Sequence, residues 1–138
     1  MLLSEITSDR VRENTGDHIN RAIDADTDIN IRLYSAQHPR VIKKRIRDLD
    51  EEWDVERTLE LNAATAAFTG VLLAATVSKR WLLLPGIVSF FLAQHAIQGW
   101  CPPLTVFRRL KIRTRKEIDK EKYALLDALR EIEGSALD

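Results

Sequence analysis

Between Arg80 and Arg108 the chain runs 27 residues without an Asp, Glu, Lys or Arg, and then places six cations in the nine residues 108–116. A second charge-free run, the 18 residues 61–78 "LNAATAAFTGVLLAATVS", lies just upstream, separated from the first only by "KR" at Lys79 and Arg80. A helix rises 1.5 Å per residue and the hydrocarbon core of a bilayer is about 30 Å thick, so roughly twenty apolar residues cross it. Both runs are long enough. The connection "SKR" leaves room only for a tight turn, so two helices joined by it form an antiparallel hairpin.

The second run is the stronger span. Its core "WLLLPGIVSFFLAQHAIQGW" sets Trp81 and Trp100 nineteen residues apart, about 28 Å along a helix, the separation of two interfacial aromatic belts. Pro85 and Gly86 fall in the first turn or so, where a missing amide donor costs little. The helix is expected to start near Trp81 and to stop before Pro102. The first run is more polar, with Asn62, Thr65, Thr69 and Thr76, yet Asn62, Ala66, Gly70, Ala74 and Ser78 recur at every fourth position. Small residues at that spacing let helix backbones approach closely in lipid. Ser89, Ala93 and Ala96 give the second helix a comparable face, so the two faces either pack together or dimerise.

Averaging hides this middle. The 21 basic and 21 acidic residues cancel overall, but residues 1–60 carry 10 basic and 14 acidic groups and residues 108–138 carry 9 and 7. Lys43, Lys44, Arg45, Arg47 and Arg57 precede the first span, and Arg108, Arg109, Lys111, Arg113, Arg115, Lys116, Lys120 and Lys122 follow the second. Positive charge resists translocation, so both termini are expected in the cytoplasm and the turn outside, with Trp81, Trp100, Arg108 and Arg109 as interface anchors. The opening "MLLSEITSDR" lacks a basic n-region and an apolar h-region, so no signal peptide is expected and the mature chain should start at Met1.

The flanks read as helices. "PRVIKKRIRDLDEEWDVERTLE" begins at Pro39, a favoured first helical residue, and sets Ile42, Ile46, Leu49 and Trp53 on one face. It is expected to run unbroken into the first span. Upstream, Val11, Ile19, Ile23 and Leu33 give a thin helical stripe. Downstream, "TRKE" is a capping box from Thr114 to Glu117, followed by Ile118, Leu125, Leu129 and Ile132 on one face, with Gly134 as the expected stop. The expected fold is therefore all-α: a two-span transmembrane helical hairpin (58–107), an N-terminal cytoplasmic helical region (1–57) and a basic C-terminal cytoplasmic helix (108–138).

The runs "EWDVERTLELNAATAAFTG", "SKRWLLLPG" and "QHAIQGWCPPLTVFRRLKIRT" resemble the YgaP-like transmembrane domain, a family of small bacterial inner-membrane helical hairpins with no assigned activity of its own. The resemblance covers about residues 53–114, and its most specific element is Cys101-Pro102 closing the second span ahead of a short basic tail. It implies an inner-membrane location, two spans and self-association, a dimer being favoured. In some relatives the hairpin anchors a rhodanese domain, which moves sulfane sulfur on a catalytic cysteine. This chain has neither that domain nor a second cysteine, so sulfurtransferase activity does not carry over, and the N-terminal extension lies outside the matched part.

Few residues carry chemistry. Cys101 is the only cysteine, which excludes an internal disulfide scaffold and fits a reducing compartment. Beside Arg108 and Arg109 its thiol is a candidate for accepting a persulfide or sensing oxidants. The default is plain packing where the helix stops, since reactivity needs an exposure that sequence does not show. His95, with Gln94 and Gln98, is an intramembrane polar group and so a functional suspect. Its default role is hydrogen-bonding glue across the helix pair, to Asn62 or a threonine. His18, His38, His95 and Cys101 have no converging metal-ligand spacing, and no cofactor is implied. The acids of "DLDEEWDVE" pair at helical spacing with Lys44, Arg45 and Arg47 as a solvated face. No phosphate loop, nucleophile elbow or nucleic-acid motif is present, and the basic tail beside a span suits anionic lipid rather than nucleic acid.

Three functions remain open at this point. The chain is a non-enzymatic inner-membrane anchor that binds lipid, itself or a cytoplasmic partner; or a sulfur-handling or redox accessory of a sulfurtransferase, using Cys101; or a soluble all-α bundle with residues 61–107 as its core.

Overall fold

The computed structural model describes residues 10–136, so the expectation about the opening segment falls largely outside the described residues. Those residues are all-helical, with no strand among them. After a helical turn at 10–13 come α1 (Asp17–Ser35), α2 (Pro39–Glu51), α3 (Val55–Thr76), a single 3-10 turn (Lys79–Leu82), α4 (Leu83–Gln98), α5 (Pro102–Arg109) and α6 (Arg115–Ser135).

Two helices are long and apolar enough to cross a membrane. α3 has 22 residues, about 33 Å at 1.5 Å per residue. It packs along α4, and the pair runs antiparallel. Gly70 is buried where they meet, and a Cβ built there would lie 2.5 Å from Pro85 Cδ. At the opposite ends Glu56 of α3 meets His95 of α4. Away from that contact the pair is bare. Only 11% of the most apolar window within Pro39–Thr76 is buried, and only 6% of that within Lys79–Gln98. Phe68, Val77, Leu83, Phe90 and Ile97 are among the large apolar side chains left exposed.

The remaining helices bury their apolar stripes against one another, with α6 lying on both α1 and α2. Ile42 and Leu49 of α2 meet Ile118, Leu125 and Leu129 of α6, flanked by Tyr34, Ile46 and Ile132. A second core, Val11, Val55, Leu59, Cys101 and Leu104, sits where the apolar pair joins this bundle. Of the residues 61–107 only Gly70, His95, Gly99, Cys101 and Leu104 are buried, so that segment contributes the edge of a core and not its bulk.

The structure corrects the expected helix boundaries in three places. The helix from Pro39 does not run on into the first span: Glu52 is extended at ψ 131°, and Asp54 caps a new helix by accepting a hydrogen bond from Arg57 N at 2.8 Å. The segment after Pro102 is not a plain tail but the short helix α5, begun by two prolines at its first positions. Gly134 does not stop α6, which continues to Ser135. The capping box at Thr114 and Glu117 is formed in both directions.

Candidate functional site

The end of α4 is closed by an unusual set of partners. Gly99 ends it in the left-handed conformation, φ 72°, and its N–H donates to His95 O at 2.7 Å. A side chain there would collide with Arg10, so glycine is required on both counts. The last carbonyls of a helix have no partner within it. Here Arg10 donates to Ile97 O at 2.8 Å and Asn14 to Gln98 O at 3.2 Å, so the N-terminal segment caps α4 from a distance in sequence of more than eighty residues.

This closure buries His95 and Cys101, and leaves Glu56 31% exposed at its edge. Glu56 lies in the first turn of α3 and His95 in the last turn of α4, ends whose helix dipoles favour an acid and a base respectively. The antiparallel pair brings them together: His95 Nε2 lies 3.1 and 3.3 Å from the two Glu56 carboxylate oxygens. The ring is 3% exposed and Cys101 1%. His95 Nδ1 is buried without a hydrogen-bond partner among the described residues. Cys101 also lines an apolar groove of about 400 Å³ between α3, α4 and α5, whose walls include Leu59, Ala63, Ile87, Phe91 and Phe107.

Several residues singled out from sequence sit elsewhere. His95 finds Glu56 and not Asn62, which is exposed and hydrogen-bonds Thr58 O of its own helix. Gln94 pairs with Gln98 at 3.4 Å on the surface of α4. Along the small-residue stripe Gly70 is buried, Ala66 and Ala74 are half-buried, and Ser89 and Ala93 are exposed. Trp81 is exposed, whereas Trp100 packs on the core around Cys101.

Arg108 departs most from its expected place as an interface anchor, while Arg109 stays exposed. Arg108 is 1% exposed and donates to Glu117 through two nitrogens, at 2.7 and 2.8 Å, with further bonds to Thr15, Asn20 and Ile112 O. Glu117 also accepts from Arg12 at 2.6 Å and from Thr114 N at 2.7 Å. Burial works to raise the Glu117 carboxyl, but Arg108, the Thr114 amide and Arg12 together hold it below its ordinary value. A second buried knot joins Arg113 to Glu52 and Glu121, each at 2.6 Å, and Arg45 to Glu121 at 2.8 Å. These two knots fasten the N-terminal segment, α2, α5 and α6 to one another. Sequence periodicity exposes none of these ion pairs, because their partners lie between 8 and 105 residues apart.

Comparison with protein-family models, characterised proteins and solved structures finds no match for this chain.

Proposed function

We propose that this protein is an integral protein of a bacterial inner membrane, with α3 and α4 as a two-span helical hairpin and the ion-paired bundle of α1, α2, α5 and α6 as its cytoplasmic body. It acts as an anchor that associates with itself, a dimer being favoured, or holds a cytoplasmic partner, and it is not an enzyme. The observation that carries this reading is the contrast between the two parts. The apolar windows of α3 and α4 are 11% and 6% buried, while the bundle encloses Arg108, Glu117 and Glu121 almost completely. A chain that buries charge and exposes Phe and Leu has its solvents separated, water on one part and hydrocarbon on the other.

Orientation follows from cations. The turn holds Lys79 and Arg80, and the helices flanking the pair hold many more, which favours both termini in the cytoplasm. The resemblance of residues 53–114 to YgaP-like hairpins agrees with this arrangement. The exposed small residues Ser89 and Ala93 offer α4 a face for a second copy in lipid. Reporter fusions test the topology. Alkaline phosphatase inserted after Ser78 is expected to be active and the same reporter at the C-terminus inactive; the reverse pattern would overturn the proposed orientation.

A further inference from the structure

We infer that the cleft between the start of α1 and the end of α5 holds one anionic phospholipid, its phosphate taken by Arg109, Lys111 and His18 and its acyl chains lying along Val106 and Leu110. This deepens the membrane reading above and rests on it, with a discrete site for one lipid in place of a general basic edge.

The cleft itself is the first observation. It encloses about 340 Å³ and is lined by His18, Ile19, Ala22, Arg109 and Lys111, so three basic side chains and no acid face its interior. A phosphodiester has the complementary chemistry, because its oxygens accept from an arginine fork and from an ammonium group.

The second observation is how the cations near it are used. Arg108, Arg113 and Arg115 are each paired with a carboxylate. Arg109 is exposed and makes no hydrogen bond or ion pair among the described residues. Lys111 does pair with Asp26, at 2.6 Å, but both side chains are about half exposed there and an ammonium group has three protons to donate. Lys111 is also the one non-glycine residue with a positive φ, 60°, among the described residues. Such backbone is uncommon outside glycine and gathers where ligands are held.

The third observation is the apolar surface that adjoins these cations. α5 is separated from α4 only by residues 99–101, so under the membrane reading it lies at the edge of the hydrocarbon. At 3.6 residues per turn its faces follow one another as Phe107, Pro103, Val106 and Arg109. Phe107 and Pro103 line the apolar groove against α3 and α4, and Arg109 lines the cleft. Between them Val106 is 55% exposed, and Leu110, at the end of the helix, 68%. Hydrocarbon on one side and cations on the other is the order in which a phospholipid presents its chains and its phosphate.

The test is native mass spectrometry of the full-length protein in neutral detergent, titrated with phosphatidylglycerol or with phosphatidylcholine of the same chains. Phosphatidylglycerol is expected to saturate at one retained molecule per chain and to be held more tightly than phosphatidylcholine. One cation at an anionic lipid surface is worth about fivefold in affinity. Arg109→Gln is therefore expected to weaken phosphatidylglycerol binding by about fivefold and Arg109→Gln combined with Lys111→Asn by about twenty-five-fold, with phosphatidylcholine unchanged. Asparagine is chosen at 111 because it tolerates the left-handed region. Arg130→Gln, on the exposed side of α6, is expected to change nothing, and millimolar inorganic phosphate is expected not to displace the lipid. Equal retention of the two lipids, unaltered phosphatidylglycerol binding in the double variant, an equal loss in Arg130→Gln, or displacement by phosphate would each overturn the site. Flotation with pure phosphatidylcholine vesicles separates this from the membrane reading. Wild-type protein that floats without any lipid preference sinks the site alone, and wild-type protein that does not float sinks both.

Discussion

Arg108 and Glu117, nine residues apart and on different helices, form a doubly hydrogen-bonded ion pair at 2.7 and 2.8 Å with almost no exposure to solvent. Breaking such a pair on one side leaves an uncompensated buried charge, which costs about 3–5 kcal/mol. Arg108→Met is therefore expected to lower bundle stability by about that amount in chemical denaturation. Glu117→Gln should cost at least as much, since it removes the charge that Arg108 and Arg12 both pair with and leaves one acceptor oxygen where two now serve them and the Thr114 amide. A loss under about 1 kcal/mol, the scale of an exposed pair, would mean that water reaches the site.

The same carboxyl sets a pH dependence. Glu117 is held below its ordinary value of 4.5, so in the window beneath 4.5 the unfolded chain binds its proton first. Its contribution is fully present above 4.5 and is lost as pH falls through the lower folded value. Denaturation midpoints are expected to fall more steeply below that pH in the wild type than in Glu117→Gln; parallel profiles would remove Glu117 as the cause.

Gly70 gives opposed effects whose balance is decidable. Alanine at an exposed helix interior gains about 1 kcal/mol over glycine. Here its Cβ would lie 2.5 Å from Pro85 Cδ, and a proline ring has little freedom to move. Overpacking of this kind costs typically about 1–3 kcal/mol, so Gly70→Ala is expected to be net destabilising and Gly70→Val more so. Thermal unfolding in detergent measures it, and a Gly70→Ala protein more stable than wild type would show that α3 and α4 do not pack at this point.

Thr114 starts α6 by accepting from Glu117 N at 3.3 Å, while Glu117 returns the bond to Thr114 N. Thr114→Ala is expected to cost about 1 kcal/mol and Thr114→Ser far less, read from thermal midpoints of the bundle. Equal losses for the two would point to the methyl group and not the hydroxyl as the source.

How much of this was legible beforehand depended on range. The helices, the capping box at Thr114 and the inward faces of Ile42, Leu49, Ile118 and Leu125 follow from local periodicity. The break at residues 52–54 carries no Gly or Pro. It arises because Glu52 and Asp54 are taken up by Arg113 and Arg115 from far along the chain, and Val55 N donates to Arg113 O at 2.9 Å. A cation after an apolar run usually faces lipid head groups, which is the place sequence gives Arg108; the segment around Thr15 and Asn20 folds over it instead. Cys101 and His95 are visible as candidates, but the meeting of His95 with Glu56, 39 residues before it, depends on the antiparallel pairing of α3 and α4.

The central claim is that α3 and α4 reside in hydrocarbon, and liposome flotation of the reconstituted full-length chain after an alkaline carbonate wash tests it most directly. The protein is expected to rise with the lipid and to resist extraction. Recovery in the soluble fraction, as a single small species with no detergent bound, would contradict it.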